Sequence, residues 1–269
     1  MLYADDAKLY VIYPAGSWTP ALQLALVVLE KWSLKWGLRL AIPKCQILML
    51  GRLNHRHNYT LFGVQLETVS VIRDLGVMIS EDLSWFPHIS SIVAKAAKRA
   101  NAILRSFTYS DFELLGRAYI TYVRPLLESA SSVWCPFLEQ EKHLLESVQR
   151  RYSKRLFWKC KLLPTSYENR LAVLKWPTLE QRRNRADLIL TYNILKGHTE
   201  GAATLVSTRE NLFNLRGNEL RLQGYLARLN LRKNFFSHRI VDKWNTLKVD
   251  FAKIRSEKAF REYLTGIGY

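Results

Sequence analysis

The spacing of apolar residues changes near Ser84, and this change constrains the fold more than any other feature of the chain. Before Ser84, short apolar runs are separated by turn signals such as Gly63 and Gly76, a pattern typical of short strands. After Ser84, apolar residues recur every three or four positions, as they do in amphipathic helices. The sequence therefore predicts an α+β fold: a small antiparallel sheet with one packed helix, followed by a mainly helical part.

One helix is predicted within the strand-rich front part. Thr19-Pro20 is a start signal, because proline suits the first helical position, and Gly37 is typical of a helix end. Apolar residues recur at helical spacing between these signals, from Leu22 to Trp36. We expect this stripe to pack on the sheet, with Trp32 and Trp36 filling the core.

Three capping boxes predict helix starts after Ser84. In a capping box, a Ser or Thr and a Glu or Gln three residues later each bond to the other's backbone N–H. The pairs are Ser110/Glu113, Thr165/Glu168 and Thr178/Gln181. Gly197 is a candidate end for the last of these helices. We therefore expect three regions, residues 1–83, residues 84–197, and a tail of short strands and helices over residues 198–269.

Asp5 and Asp6 are adjacent carboxylates that we expect at the tip of a hairpin. The flanking residues, 1–3 and 9–13, are β-formers, and Asp tolerates the backbone angles of a tight turn. Two carboxylates at a strand tip suit Mg²⁺, although Asp-Asp also occurs in ordinary solvated turns. Lys44 lies near the end of a later predicted strand, where it is either solvated or functional.

The chain is strongly basic, with 40 Lys and Arg against 23 Asp and Glu and a net charge of +17. Residues 1–135 hold 14 basic and 10 acidic side chains, whereas residues 136–269 hold 26 and 13. Such an excess indicates a polyanionic partner, and the second half is the expected contact surface.

Cysteine spacing and hydropathy restrict the compartment. The three cysteines are far apart and have no Cys-x-x-Cys spacing, which supports neither a disulfide framework nor structural zinc. No apolar run approaches the roughly 20 residues that span a bilayer. We expect an intracellular protein of the nucleus, the cytoplasm or both, with no membrane partner.

The densest basic and aromatic run lies at residues 149–161, and a second basic cluster follows at residues 182–185. Arg and Lys can contact phosphates while aromatic rings stack on bases. The candidate nucleic-acid-binding residues are Lys95, Lys98, Arg99, Arg150, Arg151, Lys154, Arg155, Arg182 and Arg183. The alternative is a solvated helix face whose Tyr152, Leu156 and Phe157 belong to the core, and one amphipathic helix can satisfy both interpretations.

The order of these motifs resembles the C-terminal part of a reverse transcriptase from a non-long-terminal-repeat (LINE-type) retrotransposon, over essentially the whole chain. Tyr3-Ala4-Asp5-Asp6 matches the catalytic box of that family's palm. The other matching segments are Trp32…Trp36…Leu38-Arg39-Leu40…Lys44-Cys45, Arg73-Asp74-Leu75-Gly76-Val77, Ser80…Asp82-Leu83-Ser84-Trp85…His88-Ile89 and Asn234-Phe235-Phe236…Arg239-Ile240-Val241…Trp244-Asn245. The resemblance implies a partial polymerase palm followed by a helical thumb.

The same resemblance implies a role for each matching residue. Asp5 would coordinate the two Mg²⁺ ions that bridge the primer 3′-hydroxyl and the nucleotide phosphates, with Asp6 as the second carboxylate. Lys44 would lie beside the pyrophosphate leaving group, and Tyr3 beside the primer terminus. The hairpin Asp74-Leu75-Gly76 would form a primer grip. The implied partners are an RNA template, a DNA primer or RNA–DNA hybrid, and a dNTP in the parent enzyme.

The sequence also departs from the family pattern. The family's palm uses a further aspartate on an earlier strand, together with fingers, and both would precede Met1. Two carboxylates supply too few ligands for two Mg²⁺ ions, so we expect that this chain alone does not extend a primer. Ala41-Ile42 replaces the asparagine-containing turn before Lys44. The alternatives to a polymerase fragment are a non-catalytic module that binds nucleic acid and a structural protein that uses its aromatic tail for protein contacts.

Overall fold

The computed structural model describes residues 2–3, 6–13, 19–51, 57–199, 202–208, 220–251 and 253–269. The chain forms two compact units, Met1–Pro87 and His88–Tyr269. Short strands and one long helix make up most of the first unit, and helices make up most of the second. The predicted mixture of helices and strands is therefore confirmed. In the part of the chain that the structure describes, every helix is too short or too polar to cross a bilayer.

The described residues contain eight short strands that pair two by two. They are β1 (Leu2–Tyr3), β2 (Asp6–Ala7), β3 (Gln46–Leu48), β4 (Thr60–Leu61), β5 (Val64–Gln65), β6 (Glu67–Val69), β7 (Val71–Asp74) and β8 (Val77–Ser80). The pairs β1–β2, β4–β5 and β7–β8 are antiparallel, whereas β3 and β6 are parallel. The prediction of one antiparallel sheet is thus wrong in detail, because the long connection between β3 and β6 allows them to pair in parallel.

The predicted hairpin at the front of the chain is present but short. Tyr3 pairs with Asp6 and Leu2 with Ala7, so Asp6 is a strand residue and not part of the tip. Asp5 lies outside the described residues. Residues 9–13 do not form the predicted strand. Most of their side chains are exposed, so they lack the packing that stabilises a β-strand.

Helix α1 (Ala21–Trp36) packs against β4 and forms the core of the first unit. Leu26 is buried in a cluster with Tyr59, Leu61 and Leu66. The Gln23 amide also completes the edge of β4, since it donates to the carbonyl of Thr60 (2.9 Å) and accepts from its N–H (3.0 Å). As predicted, the helix ends at Gly37, which has a left-handed backbone (φ +65°).

The prediction that both tryptophans of α1 fill the core is wrong. Trp32 and Trp36 are exposed, as are Leu24 and Val28. The buried side of α1 instead includes Ser33, whose hydroxyl donates to the carbonyl of Leu38. Adjacent residues differ by about 100° around a helix axis, so Trp32 points well away from the side of α1 on which Ser33 lies. Apolar residues lie on two sides of α1, and spacing alone does not distinguish the buried side.

Two hairpins in the first unit follow the predicted turn signals. Phe62-Gly63 joins β4 to β5, and Leu75-Gly76 joins β7 to β8. All four residues have positive φ, from 46° at Leu75 to 90° at Gly76. Two central residues with positive φ define the type I′ turn, whose twist suits a two-residue hairpin.

Helices dominate the chain from Phe86 onward. They are α2 (Phe86–Ser106), α3 (Phe112–Ala118), α4 (Arg124–Glu128), α5 (Glu139–Lys159), α6 (Tyr167–Leu174), α7 (Leu179–Leu195), α8 (Asn230–Lys233), α9 (Phe236–Asn245) and α10 (Glu257–Gly266). A π-helical turn, Tyr119–Val123, connects α3 to α4.

The predicted capping boxes are confirmed at one helix and shifted at two. At α7, Thr178 and Gln181 bond reciprocally to each other's backbone. At α3 and α6, the caps are Asp111 and Ser166, each one residue after the predicted position. Asp and Ser are as effective at a helix start as the residues before them, so the sequence does not distinguish the neighbours.

Residues of the predicted tail share a core with α7. Tyr192 of α7 stacks on Phe260 of α10 (4.7 Å between ring centroids), and Trp244 of α9 belongs to the same cluster. The short strands expected in the tail, residues 198–269, are absent from its described residues. Apart from a single bridge between Leu222 and Thr208, the described part of that segment carries no strand pairing. Asn245 instead bonds to both backbone polar groups of Leu222.

Candidate nucleic-acid interface

The helix α5 has a buried side and an exposed basic side. Tyr152, Leu156 and Phe157 are buried, which confirms that these residues belong to the core. Four exposed residues, Arg151, Lys154, Arg155 and Trp158, are spaced at i, i+3, i+4 and i+7 along the helix. Residues at this spacing lie on one face. The basic and aromatic side chains of the run therefore share a solvated stripe.

A second exposed basic row lies on α2. Lys95, Lys98 and Arg99 are exposed, while Ala96 and Ala100 on the opposite side are buried. This is the arrangement expected of an amphipathic helix with one face in the core.

The rows on α2 and α5 adjoin each other. The guanidinium of Arg155 donates to the side-chain oxygen of Asn101 on α2. One turn further along α5, the Lys159 ammonium donates to the carbonyls of Leu104 (3.0 Å) and Phe107 (2.6 Å). These carbonyls lie at the C-terminal end of α2, where a cation is favourable. We call the combined surface the basic face; its residues are Lys95, Lys98, Arg99, Arg151, Lys154 and Arg155. The exposed Arg150 lies outside it, over the ring of Tyr167 of α6 (4.8 Å to the ring centroid).

Arg182 and Arg183 have structural positions, and neither belongs to the basic face. Arg182 forms a two-pronged ion pair with Glu128 of α4, with 2.8 Å between Nη2 and Oε2. Arg183 is buried, with 2% of its surface exposed. A buried guanidinium cannot reach a phosphate without unfolding its surroundings.

The candidate catalytic and primer-grip residues lie in the first unit. Lys8, which follows β2, forms an ion pair with Asp74 at the end of β7. The β1–β2 hairpin is therefore close to the β7–β8 hairpin. Leu75 is exposed at the tip of that second hairpin. Lys44 is exposed on a 3₁₀ turn, Ile42–Lys44, directly before β3.

Among the residues that the structure describes, those that could hold a metal do not form a complete donor set. Asp6 is exposed on β2, and Asp5 lies outside the described residues. Within the described ranges, no group of three or more His, Cys, Asp or Glu side chains is arranged to hold a metal ion. Two Mg²⁺ ions bound to phosphates require several oxygen ligands. The described residues therefore do not fit a two-metal centre.

The segment after β8 has a structural role. The Ser80 hydroxyl donates to Asp82 Oδ1 (2.5 Å), and the Ser84 N–H donates to the same oxygen (2.9 Å). These bonds lower the pKa of the Asp82 carboxyl, because they stabilise its charged form. They account for Ser80, Asp82 and Ser84 as the residues of a turn that leads into α2.

Three residues of structural or functional interest were not among the predicted sites. Lys8 is paired with a residue 66 positions away, for which the sequence contains no local signal. Gln149 is buried among tyrosines, although it opens the basic run. Trp158 lies within that run, and its exposure was predictable from its helical spacing relative to Arg151.

No protein-family model matches this chain, and no solved structure matches it. The chain is 29% identical over 126 residues to Uncharacterized protein B0403.1 of Caenorhabditis elegans. The match covers 47% of this chain and 64% of that protein, so the chain spans less than two thirds of its relative's length. The name of the relative gives no activity to compare with the basic face.

Proposed function

We propose that the helical unit binds the sugar–phosphate backbone of nucleic acid through its basic face. The observation that carries this proposal is the bond between Arg155 and Asn101, which joins the exposed cationic rows of α5 and α2 into one surface. Lys and Arg that neutralise phosphates release condensed counterions, and this release favours binding to any sequence. The net charge of +17 favours the same partner.

The proposed ligand is the hybrid of an RNA template and a DNA primer. This choice depends on the order of motifs that resembles a LINE-type reverse transcriptase, in which a helical thumb follows the palm. Because backbone contacts carry no sequence information, we expect little preference among hybrids of different sequence.

The test compares two triple variants in fluorescence anisotropy with a labelled primer–template hybrid. Lys98→Ala, Arg151→Ala and Lys154→Ala together remove three charges from the basic face. The control removes three exposed lysines of the C-terminal elements, Lys196, Lys248 and Lys258. Both variants lower the net charge equally.

We expect the basic-face variant to bind roughly ten- to a hundredfold more weakly at moderate salt, since three phosphate contacts are lost. The control should stay within about threefold of the wild-type chain. Equal losses in the two variants would show that only overall charge matters, and would contradict a defined interface.

A second candidate function is nucleotide transfer as part of a larger RNA-directed DNA polymerase. The Lys8–Asp74 ion pair favours it, because it brings the hairpin with the catalytic box close to the predicted primer grip. Two Mg²⁺ ions would come with the parent enzyme. The described residues do not supply their donor set, so no catalytic step is assigned to this chain.

Primer extension on an RNA template with Mg²⁺ and dNTPs tests whether this chain can transfer nucleotides without the rest of such a polymerase. Two carboxylates supply too few ligands for two metal ions, so we expect the wild-type chain to extend a primer no further than the Asp5→Ala variant. Extension above that control would contradict this expectation.

A further inference from the structure

Trp158 is one of the most exposed large apolar side chains of the second unit. It lies in the last turn of α5, and 82% of its surface is exposed. It follows Arg151 by two turns and Lys154 by one, so its ring lies at the end of the basic row. A flat apolar ring bordered by cations combines the two features that bind bases and phosphates.

The fold does not require the Trp158 ring for packing. Its neighbour Phe157 fills the core instead and contacts the ring of Phe112 edge-on (5.5 Å between centroids). The next residue, Lys159, fixes the same turn of α5 through its two bonds to carbonyls at the end of α2. The backbone that carries Trp158 is thus held on both sides, and the ring extends from a rigid support.

We propose that Trp158 stacks on an unpaired nucleobase, so that the basic face binds a hybrid with a single-stranded extension more tightly than a blunt hybrid. This inference rests on the proposed nucleic-acid binding of the basic face. Bases inside a duplex are already stacked on each other and offer no open ring face, whereas unpaired bases do. The extension also adds phosphates, whose contribution does not depend on the ring, so the part of the preference that is lost in Trp158→Ala reports the ring.

The experiment measures affinity for a blunt RNA–DNA hybrid and for the same hybrid with a single-stranded extension, at one salt concentration. The variants are Trp158→Ala and Trp158→Phe, and the control is Leu163→Ala. Leu163 is an apolar residue five positions further along that is 85% exposed. Circular dichroism checks that each variant is folded.

For the wild-type chain, we expect the extended hybrid to bind roughly five- to a hundredfold more tightly, the range of one aromatic stacking contact. Trp158→Ala should remove most of this preference, except for the contribution of the added phosphates, and should leave the affinity for the blunt hybrid unchanged. Trp158→Phe should keep part of the preference, and Leu163→Ala should keep all of it.

Each other outcome overturns the stacking proposal in a recognisable way. A preference that Trp158→Ala leaves unchanged shows that the ring does not stack. If Trp158→Ala lowers the affinity for both hybrids equally and also changes the sedimentation of the free protein, the ring contacts another copy of the chain. Binding to both hybrids that still depends on Lys98, Arg151 and Lys154 would preserve the proposed function. No binding by the wild-type chain would overturn both proposals.

Discussion

Gln149 shows how a single side chain can organise a buried polar network. Its Oε1 accepts from the Tyr119 hydroxyl (3.2 Å), and its Nε2 donates to the Pro177 carbonyl (3.1 Å) and the Tyr167 hydroxyl (3.2 Å). Buried polar groups of this kind stabilise a fold only while every partner is satisfied. The network therefore fixes α5 against α6 and the π-helical turn.

Gln149→Leu should lower the free energy of unfolding by roughly 1–3 kcal/mol, because it leaves the tyrosine hydroxyl and the carbonyl without their partner. The matched control is Gln140→Leu at an exposed position of the same helix. Urea unfolding followed by circular dichroism measures both variants. A Gln149→Leu variant as stable as the control would contradict the importance of the network.

Glu141 is a buried carboxylate in the first turn of α5, with 2% of its surface exposed. Burial raises the pKa of its carboxyl above the ordinary value of 4.5, and this effect exceeds the opposite effect of hydrogen bonds with the backbone at Leu138 and Phe137. Between the ordinary pKa, which applies to the unfolded chain, and the raised pKa of the folded protein, the folded state binds more protons than the unfolded state. Stability therefore falls as pH rises through this interval.

Glu141→Gln should stabilise the protein at pH 7 and remove this fall, because glutamine keeps a hydrogen-bond acceptor without the buried charge. Glu139→Gln, at an exposed carboxylate whose pKa is lowered by Lys142, is the control and should not stabilise. The measurement is urea unfolding from pH 4 to pH 8. A Glu141→Gln variant that is less stable at pH 7 would contradict the prediction.

At the scale of elements, the turn of the β7–β8 hairpin contains one residue that readily adopts a positive φ and one that does not. Gly76 adopts its positive φ without strain, whereas Leu75 also has positive φ and is not a residue that favours it. Both residues belong to the predicted primer grip. An exposed leucine at a strained turn position contributes little to packing, so its replacement tests the turn alone.

Leu75→Asn should stabilise the hairpin by about 1 kcal/mol, because asparagine adopts the left-handed conformation more readily. Gly76→Ala should destabilise it by about the same amount. Hydrogen exchange of the amides in residues 71–80 measures both changes. Equal protection in the two variants would show that the turn conformation differs from type I′.

Local signals predicted some elements and not others. The two type I′ hairpins follow from the glycines at their turns, and Gly37 marks the end of α1, because each of these features depends on adjacent residues. The parallel pairing of β3 with β6 depends on segments distant in sequence, and no local pattern encodes it. The prediction for the buried side of α1 was also wrong, since Ser33 is buried and Trp32 is exposed.

At the candidate site too, the sequence predicted some features and did not predict others. Periodicity predicted which side of α5 is basic, because Tyr152 and Leu156 require the opposite side for the core. It did not separate Arg182 and Arg183 from the exposed arginines, since their ion pairing and burial depend on tertiary packing. The ion pair between Lys8 and Asp74 could likewise not be predicted from the sequence.

At the scale of the whole molecule, we propose that the basic face binds phosphates. For B-DNA, each phosphate contact contributes about 0.9 to the slope of log affinity against log salt, with the affinity falling as salt rises. If Lys98, Arg151 and Lys154 each contact a phosphate of the hybrid, their joint replacement should make the slope shallower by roughly 2–3.

The most direct measurement is therefore this slope, determined by anisotropy for the wild-type chain and for the Lys98, Arg151 and Lys154 triple variant on the same primer–template hybrid. We predict a steep decrease of affinity with salt for the wild-type chain and a shallower decrease for the variant. Affinity that does not depend on salt, or identical slopes in the two proteins, would contradict phosphate binding by the basic face.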